Sequence, residues 1–181
     1  MAQGATVYTF DIDLADADRG VYETLALRVA RHPSESEEYL VTRVLAYALE
    51  VTDGIAFSMG GLSSPDEPAI AVRDLTGALR SWIDIGSPDA ARLHKASKAS
   101  PRVAVYTYKD VERLARSLEG ERIHRAAELE LHAIDRALVA ALVDRLDRRM
   151  AFALGASERE LFVSIGADTL TGRVTRWAPN T

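Results

Sequence analysis

From Val7 to Leu14 and again from Val21 to Ala30, apolar and polar positions alternate. The short polar link ADADRG joins the two runs, so the chain opens on a predicted β-ribbon over residues 5–31. The period then changes. In HPSESEEYLVTRVLAYALE, Val41, Val44, Leu45, Ala48 and Leu49 fall on one helical stripe, and Ser34 followed by Glu37 has the spacing of a capping box. These features predict a helix over 34–50. Three short extended pieces follow, near Ile55–Met59, Pro68–Val72 and Ala78–Ile85, parted by the turn-rich stretches GGLSSPDE and RDLTG. SPDAARLHKASKAS predicts a second helix, with Ser87 as N-cap, Pro88 at the first helical position and Pro101 ending it. RVAVYTY is β-branched and aromatic, as a strand requires. A helix over Asp110–Leu118 closes at Gly120, LELHAI reads as a strand, and Asp135–Arg149 reads as a long helix with Leu138, Ala141, Leu142 and Leu146 on its apolar face. The tail, with FALG, ELFVSIG and RVTRWA, predicts a β-meander over 150–178.

From Ser34 the order is therefore α, β, β, β, α, β, then α and β again. Alternation of this kind predicts an α/β fold, a mixed central β-sheet flanked by helices, with sites gathered at strand ends. The core spans about 34–148 within a single domain of 1–181. The N-terminal ribbon and C-terminal meander are expected to form a small barrel-like layer beside it.

Composition narrows the chemistry. With 181 residues, 48% of them hydrophobic, one compact core is expected. The absence of cysteine removes disulfides, thiolate metal ligation and cysteine nucleophiles. A net charge of −5 argues against generic coating of nucleic acid, although Arg80, Arg92, Lys95, Lys98 and Arg102 give a local positive bias. The start lacks a basic and apolar leader and no run is long enough to span a membrane, so a soluble, cytoplasmic protein is expected. Phosphate-loop, dinucleotide and nucleophile-elbow motifs are missing, and His32, His94, His124 and His132 show no metal-ligand spacing.

Carboxylates remain. In SWIDIG, Asp84 shares a strand face with Trp82 and Gly86, while Ile83 and Ile85 occupy the other. An apolar setting obliges that carboxylate to find a donor, a cation or a metal. Glu67 opens an earlier strand, and Glu35, Glu37 and Glu38 crowd the first turn of the 34–50 helix. Oxygen ligands on separate elements suit Mg²⁺ or Mn²⁺, which would activate water for phosphodiester hydrolysis, with Arg92 or Lys95 holding a phosphate oxygen. The structural alternative pairs Asp84 with Arg80 or Lys95 and leaves the glutamates to complement the helix dipole.

The blocks RHPSESEEYLVTRVLAYAL, DEP, LTG followed by WIDIG, PDAARLHKAS and RVAVYTY occur in this order over nearly the whole chain, and they resemble the YaeQ family of bacterial proteins. The resemblance implies a PD-(D/E)XK nuclease type of fold, whose core order is the α, β, β, β, α, β read above. It also implies roles. Glu38, or Glu35, would be the helix acid and Asp84 the acid of the D/E-x-K tripeptide, with the Ile85 carbonyl a further metal ligand. Two positions depart from that pattern. Gly86 stands where the lysine belongs, so the cation would come from Lys95. Glu67-Pro68-Ala69 stands where relatives have EPD, so Glu67 would replace the missing aspartate. A silent member of the family, binding a protein or nucleic-acid partner through the same fold, is the alternative to an enzyme.

Overall fold

The computed structural model describes residues 4–59 and 64–178; of the turn-rich stretch 60–67, residues 60–63 therefore lie outside the described residues. β1 (Thr6–Asp16) and β2 (Val21–Arg31) form the expected antiparallel ribbon. On β1, Tyr8, Phe10, Ile12 and Leu14 turn inward at every second position, which fixes the register through burial. α1 (Glu37–Glu50) follows, then β3 (Ile55–Phe57), β4 (Ile70–Arg73) and β5 (Leu79–Ile85) as an antiparallel succession. α2 (Ala90–Ala99), β6 (Arg102–Thr107), α3 (Val111–Leu118), β7 (Glu130–Ile134) and α4 (Arg136–Val143) come next. The chain ends in β8 (Arg149–Ser157), β9 (Glu160–Ile165) and β10 (Asp168–Arg176).

All these strands join one ten-stranded mixed sheet in the order β2-β1-β8-β9-β10-β7-β6-β5-β4-β3. β5, β6 and β7 run parallel, as do β1 and β8. The expectation of a separate layer for ribbon and meander is thus corrected. β10 pairs with β7 through Val174↔Ile134, and β8 pairs with β1 through Thr9↔Arg149, so the tail stitches the ribbon to the rest of the sheet.

The sheet curls around α1. Residues of this helix are buried on nearly all sides, including Thr42, Arg43 and Ala46 opposite the predicted stripe. One core joins α1 and α4 to both halves of the sheet, while a second, smaller core of Trp82, Leu93, Val103, Val105, Leu114 and Leu131 lies under α2 and α3. The edge strands β2 and β3 nearly meet and line one cleft of about 300 Å³ with Val29, Ala30, Phe57 and Ser58. Arg43 bridges this seam. Its Nη2 donates to the Ala30 carbonyl (2.9 Å) and to Glu35 Oε2 (3.0 Å), and its guanidinium lies 5.7 Å from the Phe57 ring centre. The result is a barrel-like sheet left open along one line.

Several boundaries differ from the sequence reading, three of them by a change of cap or of element. The N-cap of α1 is Ser36, whose hydroxyl accepts from Tyr39 N–H, in place of Ser34; that of α2 is Asp89, which accepts from Arg92 N–H, in place of Ser87. α4 stops at Val143, not Arg149, because Arg149 is already the first residue of β8 and pairs with Thr9. Sheet pairing overrides the helical pattern there. Among the described residues no helix is long and apolar enough to cross a membrane.

Candidate functional site

Because β5, β6 and β7 are parallel and each leads into a helix, α2, α3 and α4 all begin at one end of the sheet. The start of α1 reaches the same end, where Ser36 Oγ lies 3.3 Å from the Tyr108 hydroxyl. Helix amino termini carry unpaired N–H groups and positive potential, and strand carboxyl ends are where open α/β sheets hold ligands. A cleft of about 440 Å³ opens here, lined among others by Ser36, Tyr39, Asp84, Gly86, Arg92 and Lys109. A second cavity of about 610 Å³ shares Ser87, Pro88, Tyr108 and Lys109 with it and continues past Arg113 to Arg136. Together they form one groove across the ends of β5 and β6.

Asp84, 2% exposed, stands at the inner wall. Its partner is Arg92, eight residues on, in the first turn of α2. Arg92 Nε donates to Asp84 Oδ2 at 2.7 Å and Nη2 to Oδ1 at 3.0 Å, a two-pronged pairing of planar groups. Neither Arg80 nor Lys95 takes that place: Arg80 pairs with Asp74, and Lys95 with Asp66. The same guanidinium donates to the Ser64 carbonyl (3.1 Å) and the Glu67 carbonyl (2.8 Å) and lies 5.4 Å from the Trp82 ring centre. Four of its five N–H groups are thereby used, so it clamps the loop before β4 onto β5. The hydrogen bond to Asp84 raises the Arg92 pKa further, which keeps the clamp charged. The Ala69 N–H also points at Asp84 Oδ1, at 3.4 Å.

The other sequence-derived residues are dispersed. Ile85 lines the cleft beside Asp84. Glu67 is exposed, and its carboxylate accepts from the Ser58 hydroxyl at 2.6 Å. Lys95 is exposed and engaged with Asp66, and Glu38 is half-buried in the first turn of α1; neither lines the cleft. Glu35 is buried against Arg43 at the barrel seam. Among the described residues no group of three or more His, Asp or Glu side chains is placed to hold a metal ion.

What the sequence reading passed over is the far wall. Lys109, Arg113 and Arg136 are exposed on the groove, and none of the three makes an ion pair among the described residues. Lys109 Nζ lies 5.7 Å from the Tyr108 ring centre. The nearby Asp89 and Asp110 are occupied as caps, accepting backbone N–H groups of α2 and α3. Burial pushes the Tyr39 hydroxyl well above its ordinary pKa, so it stays a donor facing the cleft. The available signal was positional: TYKD closes a strand and leads into a helix.

At the opposite end of α1 lies a separate polar cluster around a cavity of about 250 Å³. Glu50, the last residue of α1, pairs with Arg102 at 2.8 and 2.9 Å, and Arg102 pairs again with Glu130 at 2.7 and 3.0 Å. His132 lies 3.2 Å from Glu130 and stacks on Tyr106, whose hydroxyl donates to Glu50 at 2.6 Å. Arg159 can only donate, so its 3.1 Å contact makes His132 Nδ1 the acceptor and leaves Nε2–H for Glu130.

Comparison with known proteins places this architecture. The chain is 29% identical to "Uncharacterized protein YaeQ" of Salmonella typhi and 28% identical to that of Escherichia coli K12, in each case over 178 residues and 98% of both chains. The crystal structure of the YaeQ protein from Pseudomonas syringae superposes with a TM-score of 0.85 at 29% identity, covering 97% of each chain. That from Xanthomonas axonopodis pv. citri gives 0.84 at 32% identity, covering 95% of this chain and 97% of the other. The family model described as "YaeQ protein" matches residues 1–174, and the chain belongs to the YaeQ family.

Proposed function

We propose that this chain carries a nuclease-like core of the PD-(D/E)XK type whose cleft binds nucleic acid without cleaving it. The order α1, β3, β4, β5, α2, β6 supports the core, as does Asp84 near the carboxyl end of β5. One observation carries the loss of hydrolysis: both oxygens of Asp84 are taken by the guanidinium of Arg92. Mg²⁺ or Mn²⁺ would need several free oxygen ligands at about 2.0–2.6 Å. The residues present do not fit such an ion. Among the described residues Asp84 is the one carboxylate lining the cleft, position 69 offers a backbone N–H in place of a carboxylate, and Glu67 is turned to Ser58.

The test uses purified protein with Mg²⁺ or Mn²⁺ and labelled single-stranded, duplex and branched DNA and RNA. Binding without metal-dependent cleavage, and no heat of metal binding by calorimetry, is the expected outcome. Metal-dependent cleavage that disappears in Asp84→Ala would replace this reading with that of a phosphodiesterase, in which Arg92 withdraws to free Asp84 and Glu38, Glu67 and Lys95 assist.

A further inference from the structure

We infer that the nucleic acid held by this chain is single-stranded and that its backbone runs along the groove over the start of α3, on Lys109, Arg113 and Arg136. The inference rests on the nucleic-acid reading above but concerns a different wall from the one that holds Asp84. Three exposed cations without carboxylate partners among the described residues line one continuous cavity, in a chain whose net charge is −5. By contrast, Arg80 is paired with Asp74, Arg92 with Asp84, and Arg102 with Glu50 and Glu130. Cations left unpaired beside a cavity are free to neutralise phosphates, and each of the two aspartates among them commits one oxygen, Oδ1, to a helix cap.

Strandedness follows from shape and from Tyr108. The groove consists of two cavities of about 440 and 610 Å³ joined at Tyr108 and Lys109, a size that admits nucleotides in file. A duplex, about 20 Å across, would ride over the rim with its bases stacked away from the wall. Tyr108 sits at the junction with its hydroxyl tethered near Ser36 and a cation near its ring, the aromatic and basic combination used to hold unpaired bases.

Fluorescence anisotropy on labelled twelve-nucleotide single strands of DNA and RNA, and on the matched duplex, tests this over a range of salt concentrations. Each of Lys109→Ala, Arg113→Ala and Arg136→Ala is expected to weaken single-strand binding roughly 3- to 10-fold and to reduce the slope of log affinity against log salt by about 0.7. Tyr108→Leu should weaken binding with the slope unchanged, and Arg28→Ala, on β2, should leave both alone. Thermal melts check that these surface variants remain folded. Tight wild-type binding that survives the triple cation variant overturns the assignment while leaving nucleic-acid binding intact. Preference for the duplex overturns the single-strand part. If the wild type binds no nucleic acid, both this inference and the reading beneath it fall.

Discussion

At Asp84, a buried carboxylate is matched by one guanidinium. The pairing is electrostatically complete. A carboxylate 2% exposed cannot stay unpaired at tolerable cost, and Arg92 supplies both charge and two aligned donors. Two residues on, Gly86 stands where the reading as a nuclease-like core would put a lysine. Its φ is +87°, in the left-handed region where a side chain is strained, although only Tyr39 lies near its missing Cβ, at 3.9 Å. The backbone turns sharply there to leave β5, with Gly86 N–H held by the Tyr106 carbonyl at 2.9 Å. Gly86→Lys should therefore lower stability by about 1–2 kcal/mol in urea unfolding and confer no metal-dependent cleavage. Unchanged stability would show that the turn tolerates a side chain.

Among the elements, α1 departs most from its sequence signature. Val41, Val44, Leu45 and Ala48 are legible as a stripe because they repeat at helical spacing, and they are buried. Arg43 is illegible: a charged residue between apolar neighbours reads as solvent-facing, yet its side chain is 2% exposed because β2 and β3 close over it. Glu35, eight residues earlier, gives no local hint that it is the partner. Removing one member of such a buried pair strands the other, so Arg43→Ala should cost about 3–5 kcal/mol, whereas Arg43→Met combined with Glu35→Leu should cost far less. Urea denaturation of the single and double variants separates the two; equal losses would mean that the seam needs the charges themselves. The succession of helices and strands along the chain was legible up to β7, and α3 was legible apart from Asp110, read as its first residue where it is the N-cap. The end of α4 was not, since the pairing of Arg149 with Thr9 is invisible to any local window.

Over the whole molecule, α1 serves as an axle between two unlike ends. Its start faces the groove with free cations, and its last residue, Glu50, is locked into the Arg102 cluster. In that cluster the hydrogen bond from His132, then those from Arg102, hold the Glu130 carboxyl down at about 2, against an ordinary 4.5. A folded-state pKa below the unfolded one contributes stability that is present above pH 4.5 and lost as pH falls toward about 2. Asp74, held at about 2 chiefly by the Thr76 hydroxyl, titrates in the same window at a distant hairpin. Glu130→Gln should therefore be less stable than wild type at pH 7, with the gap narrowing as pH falls through that window. A gap independent of pH would place the acid sensitivity elsewhere. The mixed α/β sheet was readable from alternation, but its continuity was not, because that depends on which distant strands meet.

The pairing of β1 with β8 also sets an order of events during synthesis. Thr9 finds its neighbour only when Arg149 has been made, and Asp16 only when Ala156 has. Until then the ribbon emerges from the ribosome with a long unpaired edge, of the kind that invites misassociation. α1 is its first companion, offering Leu40, Val44 and Leu45 to the same core as Phe10 and Ile12. The interval between ribbon and tail is thus when a nascent chain of this protein most needs shelter, and the last three strands bring it to an end.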